Sequence, residues 1–346
     1  MLRRFIYLIT TLFLIILITS CEETEEIPDV SHINIDVPVY RFDRALMEFD
    51  TSDFEGSWEK LNDAYKDFVP LYFQRILPLR NESPEVFEAS LSGFIKEEGI
   101  QDLSKSIEKE FGNFETERKS FEDAFRRFKY YFPSAKLPAL YTILSEYSYQ
   151  LIEAEVDSQS ALIIGLDMFL GSDFPYDQID PKNPAFSSYL TRRFNKDHLV
   201  KKSMELMIDE QIGPAVGDRM LDLMIHNGKR LYFLNKVLPT VSDTVIMEYT
   251  KAQLEWAESN EVEMWAFFFK NELFYKTNRM EINKYLNVSP SSPGMPTEAP
   301  GRTANYMGWK IIEAYMKRNP DLSMEDLISN TDAQEILNKS RFKPKK

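Results

Sequence analysis

The sequence predicts an α+β fold, mostly helical, with a small antiparallel sheet in the middle of the chain. Three observations carry this. Apolar residues recur at three- and four-residue spacing on both sides of the centre, as in Trp58, Leu61, Tyr65 and Phe68, the period of an amphipathic helix. The run Ala161 to Tyr176, ALIIGLDMFLGSDFPY, follows the acidic turn Asp157-Ser158-Gln159-Ser160 and is too short to span a membrane. It reads as a buried strand that Gly171-Ser172-Asp173 and Pro175 end in a loop. Two more runs, Leu140 to Leu144 and Tyr147 to Ala154, precede it at short separations, and neighbouring strands joined by short turns are most simply antiparallel.

In chain order, residues 1–20 read as a lipoprotein signal peptide. Arg3 and Arg4 precede an apolar run from Phe5 to Ile18, then Thr19, Ser20 and Cys21 follow, with Glu22, Glu23, Glu25 and Glu26 beyond. That order is an export signal, and Ile18-Thr19-Ser20-Cys21 resembles the bacterial lipoprotein box, which implies diacylglycerol on the Cys21 sulfur. The alternative is an uncleaved N-terminal membrane anchor. Cleavage before Cys21 leaves 39 basic against 55 acidic residues, a net charge of −16, which suits solubility and argues against charge-driven adhesion to anionic lipid. Residues 21–36 then form an acidic tether, and residues 37–342 a single domain, helical over 37–133, stranded over 138–168 and helical again over 185–342. A basic tail, 343–346, ends the chain.

The domain opens on Val39-Tyr40-Arg41-Phe42-Asp43, a short strand-like entry. Ser83-Pro84-Glu85 announces a helix by N-cap, first-turn proline and first-turn acid. Phe121 to Phe132 is a helix with an aromatic and basic stripe, either core plus solvated face or a glycan-binding surface. Met204, Met207, Ile208 and Ile212 make a buried stripe on one later helix, and Met220, Met224, Leu231, Leu234 and Leu238 on the next. Ser242 is placed to cap a helix carrying Val245, Ile246, Tyr249, Leu254 and Trp256. Trp265-Ala266-Phe267-Phe268-Phe269 and Leu273-Phe274-Tyr275 are expected to be deeply buried. The Pro- and Ser-rich loop between Val288 and Thr303 is a candidate partner surface, with Arg302, Tyr306 and Trp309 at its exit. Ser323-x-x-Asp326 and Thr331-x-x-Gln334 read as capping boxes.

Composition removes several functions. A net charge of −14 argues against nucleic acid. A single cysteine allows no intrachain disulfide, and the three histidines, His32, His198 and His226, stand far apart, without metal-ligand spacing. No phosphate-binding glycine loop or G-x-S-x-G elbow occurs.

The block 161–176, Met220-Leu221-Asp222 through Gly228-Lys229-Arg230-Leu231-Tyr232-Phe233-Leu234, Gly308-Trp309-Lys310-Ile311-Ile312 and Arg41-Phe42-Asp43 together resemble the gliding-motility lipoprotein GldB family of Bacteroidetes bacteria, in order over nearly the whole processed chain. The resemblance implies a non-enzymatic envelope lipoprotein, on the periplasmic face or in the outer membrane, that supports gliding motility and type IX secretion-linked surface machinery. It implies envelope proteins as partners and no cofactor beyond the lipid on Cys21.

A second resemblance, to zinc metallopeptidases, concerns the order of elements. Their HExxH helix places two imidazoles on one face with a glutamate base beside the first. Here Met204-Glu205-Leu206-Met207-Ile208 stands in that place, so Glu205 matches the base while Met204 and Ile208 replace both histidines. Asn227 takes the position of the third ligand. The expectation is a zincin-like fold without its metal ligands, with a zinc-dependent peptidase or other hydrolase as one alternative function and a surface glycan-binding lipoprotein as another. Asp173 and Phe174, in the loop after the central strand, are further candidates for partner contact.

Overall fold

The computed structural model describes residues 27–345; the signal segment and Cys21 lie outside the described residues. The α+β class holds, and helices dominate both halves. Helices of eight residues or more are numbered here: α1 Phe54–Tyr65, α2 Pro84–Lys96, α3 Glu98–Phe111 and α4 Glu115–Tyr131 precede the main sheet strands. After them come α5 Lys196–Ile212, α6 Met220–Val237, α7 Lys251–Ser259, α8 Glu261–Lys270, α9 Arg279–Leu286, α10 Thr303–Arg318 and α11 Ala333–Ser340. No helix among the described residues is long and apolar enough to cross a membrane.

The sheet is mixed, which corrects the antiparallel expectation. Its strands are β1 Val39–Arg41, β2 Ala139–Ile143, β3 Leu151–Val156 and β4 Gln159–Gly165, in the order β1-β2-β4-β3. β1 and β4 both run parallel to β2, and only β3 and β4 are antiparallel. The reason is local. Asp157 and Ser158 both adopt positive φ, 51° and 60°, the geometry of a tight two-residue hairpin, so β3 folds back on β4 alone. The stretch from β2 to β3 is a longer loop, and the buried Asp167 carboxylate holds it by accepting from the Ser145 N–H at 3.0 Å and from the Tyr147 N–H. β2 therefore lies beside β4, and Leu162 to Gly165 are all buried, as in a strand covered on both faces.

The N-terminal edge is tied by charge. Arg41 donates two hydrogen bonds to Asp43 (2.9 and 2.6 Å) and one to the carbonyl of Gly112 at 2.6 Å, while Thr142 of β2 donates to Asp43. This clasp accounts for Arg41-Phe42-Asp43 as a unit. Ser83 caps α2 as expected, its hydroxyl accepting from the Val86 N–H, and the Ser323–Asp326 capping box is present. The Thr331 box is not: α11 is capped by Asp332, which accepts from Glu335, because the helix starts one residue later than that register requires.

In the C-terminal half, α6 and α10 form the principal helix pair. They cross at Gly228 and Gly308, so closely that a Cβ on Gly228 would lie 2.3 Å from the Gly308 carbonyl carbon and one on Gly308 only 2.0 Å from the Met224 oxygen. Two other expectations fail here. The helix foreseen from Ser242 through Trp256 breaks after Met247, because Glu248 turns left-handed (φ 58°) and Thr250 starts α7 with a capping box to Gln253. Phe268, Leu273 and Phe274 are buried, but Trp265 and Phe267 are half-buried, Ala266 is exposed and Phe269 is 73% exposed, since α8 packs through one face only, and Tyr275, beyond that helix, is 60% exposed.

Candidate functional site

The break after Met247 aims Glu248 into the interior, where it meets an unusual concentration of charge. Its Oε1 is 3.1 Å from Lys201 Nζ and 3.5 Å from Lys202 Nζ, and its Oε2 is 3.1 Å from Arg302 Nη1 and paired with Arg193. The network continues along α5. Lys201 Nζ lies 2.6 Å from Glu205 Oε2, Arg230 of α6 lies 3.5 Å from Glu205 Oε1, and a second Arg230 nitrogen lies 3.2 Å from Asp209. Arg302 also donates to the Met247 carbonyl at 3.1 Å. Glu248 and Arg302 face each other from two left-handed residues, φ 58° and 60°, a conformation that costs a side-chain-bearing residue about 1 kcal/mol. The ion pairs hold both in place.

These contacts set the titration of the group. Burial alone would raise the Glu248 carboxyl, but Lys201, Lys202, Arg302 and Arg193 hold it well below the ordinary range. Burial opposes the charge on Glu205 too, yet Lys201 and Arg230 bring it down to about 2. His198, at the first turn of α5, is pushed down to about 4, chiefly by burial.

Such a Glu205 is a poor general base. Proton abstraction at neutral pH calls for a carboxylate tuned upward toward 7, whereas this one is held ionised with both oxygens against cations. The flanking positions offer no ligand: Met204 and Ile208 are fully buried in the apolar core. Asn227 spends its amide nitrogen on Asn305 Oδ1 at 2.9 Å, across the α6–α10 crossing. Among the described residues no group of three or more His, Cys, Asp or Glu side chains is placed to hold a metal ion. The arrangement braces α5, α6, α10 and the helix Asp243–Met247 against one another.

The remaining candidates divide. Arg302, Tyr306 and Trp309 are 5%, 0% and 1% exposed, so the exit of the Pro- and Ser-rich loop is interior and offers no partner surface. The loop closes on itself instead, through Ser292 N–H to Ala299 O at 2.9 Å and Ser292 Oγ to Pro300 O at 2.6 Å, which turns α10 inward. Tyr306 donates to Glu261 at 3.0 Å. Asp173 is exposed, while Phe174 is half-buried against Tyr176, ring centres 4.9 Å apart. The aromatic row that glycan binding calls for is broken, because Phe125 and Phe128 are buried and only Tyr130 stands out, with Tyr131 packed edge-on to it.

Sequence reasoning missed Glu248, Lys201 and Arg193. The one available signal was Thr250-x-x-Gln253, a capping box that announces a helix start and hence a break just before it. It also missed the exposed apolar side chains Phe269, Tyr275, Met280 (81% exposed) and Val216 (61%). Their segments meet where Met220 N–H donates to Lys276 O at 2.8 Å.

Two searches, of curated proteins and of solved structures, return no match, so the likeness to zinc metallopeptidases gains no support from them. The family model described as gliding motility protein GldB matches residues 23–344. That span holds the clasp, the sheet, the ion network and the α6–α10 crossing, and the chain belongs to the gliding motility protein GldB family.

Proposed function

We propose that the protein is a non-enzymatic lipoprotein of the cell envelope, held by lipid on Cys21, and that it serves as a scaffold for the gliding and type IX secretion-linked machinery. The observation that carries this reading is the family match over residues 23–344, which starts two residues beyond the cysteine of the lipoprotein box. The closed ion network supports the non-enzymatic part, because its carboxylates are paired with cations. Val216, Phe269, Tyr275 and Met280 are large apolar side chains left exposed, and they support the scaffold part as candidate contact residues for a partner. Asp173, exposed in the loop that follows β4, is a second candidate contact point.

Two experiments test it. Cys21→Ser is expected to abolish lipid labelling and membrane retention of the processed chain; persistent labelling would remove Cys21 as the attachment site. Metal analysis of the purified domain is expected to find no stoichiometric zinc, and Glu205→Gln is expected to lower stability without removing a hydrolytic activity. Stoichiometric zinc together with hydrolysis lost in Glu205→Gln would replace the scaffold by a peptidase.

A further inference from the structure

The chain carries a net charge of −14, yet one groove on its surface is cationic. This groove, of about 890 Å³, lies between the C-terminal ends of α10 and α11 and is lined by Lys317, Arg318, Lys339 and Arg341 with Asn319 and Asn338, without a carboxylate. An adjoining pocket of about 380 Å³ shares Lys317, Arg318 and Arg341 and adds Lys343 and Lys345 together with Glu261 and Glu313, Glu261 accepting from the Lys345 N–H at 2.8 Å. Arg318 commits its Nε to the Ser340 carbonyl at 2.7 Å and Lys339 pairs with Glu335. Lys317, Arg341 and Lys343 meet no carboxylate among the described residues. The negative ends of two helices attract cations, which explains one on each helix but not the surplus. Arg341 is itself left-handed, φ 46°, just after α11, where glycine is the unstrained choice.

We propose that this groove docks on the anionic phospholipid headgroups of the membrane to which the chain is tethered, an inference that rests on the lipid-anchored reading. Ile33 to Asp36 line a depression with Lys129 and Pro133, and Lys317 is common to the groove and to a second depression lined by Tyr131, Tyr232 and Met324. Six residues separate Cys21 from Ile27, where the described chain begins, a reach of about 20 Å when extended. The net negative charge does not forbid the contact, because salt screens the rest of the surface beyond about 8 Å, while each basic side chain at an anionic membrane strengthens binding by roughly fivefold.

The test uses the chain from Glu22 onward, which retains every buried core side chain, and vesicles of phosphatidylcholine with or without phosphatidylglycerol. Co-sedimentation is expected only with the phosphatidylglycerol vesicles and is expected to fall as salt is added. Lys317→Gln and Arg341→Gly should each weaken it by about fivefold, and Arg341→Gly should do so without lowering the melting temperature, because glycine suits the left-handed position. Equal sedimentation with both vesicles, or unchanged binding in both variants, would overturn the proposal. Displacement by inorganic phosphate too dilute to screen charge would also overturn it, assigning the groove to a free anion. The assay contains no Cys21, so its failure leaves the anchor standing, and failure of lipid labelling leaves the groove to be judged by vesicles alone.

Discussion

Glu248 shows how one residue fixes the interior of the C-terminal half. Four cations converge on it, and removing its charge would leave Arg193, Lys202 and Arg302 without a carboxylate and Lys201 with Glu205 alone. A broken buried ion pair costs about 3–5 kcal/mol, so Glu248→Gln is expected to lose stability on that scale in urea unfolding; a loss below about 1 kcal/mol would mean that solvent reaches the cluster. His198, facing Glu248, Lys201, Lys202 and Arg193, adds a pH signature. Its folded value of about 4 lies below the ordinary 6.5, so between those values the unfolded chain binds the proton and the native chain does not. Stability is therefore full above pH 6.5 and is lost as pH falls toward 4, by a ceiling of roughly 3 kcal/mol. Asp167, raised to about 6 by burial, works in the opposite sense, losing stability as pH rises from 3.8 to 6. The difference between wild type and His198→Gln isolates the histidine, and parallel curves would contradict the assignment.

At the scale of elements, the crossing of α6 and α10 depends on two missing side chains. Gly308→Ala puts a methyl group against the Met224 carbonyl, and overpacking of this kind costs about 2–3 kcal/mol; an unchanged melting temperature would show that the helices move apart freely. Much of this level was legible in the sequence. The stripes Met204, Met207, Ile208 and Met220, Met224, Leu231, Leu234, Leu238 are buried as their spacing foretold, Ile212 at the end of α5 is only half-buried, and Ala161 to Gly165 is a central strand. Pairing and breaks were not legible. β1 joins the sheet from about a hundred residues away, a contact that no local pattern encodes, and the apolar spacing of Val245 to Trp256 runs straight through the turn at Glu248. Burial of Arg302 and Tyr306 escaped for a related reason: the Pro- and Ser-rich loop reads as exposed until its internal hydrogen bonds fold it inward.

The whole molecule joins a closed interior to a cationic groove around Lys317 and Arg341 and to exposed apolar side chains at Phe269, Tyr275 and Met280. Neither was readable beforehand, because exposure on a helix depends on which face its neighbours cover. Photo-crosslinking residues placed at Phe269 or Met280, and for comparison at Tyr149 on the sheet side (39% exposed), put the scaffold claim to its most direct test in intact envelopes. The account predicts one discrete crosslinked protein from Phe269 and Met280, absent from Tyr149. Absence of any crosslinked species from Phe269 and Met280, or the same set of products from all three positions, would contradict it.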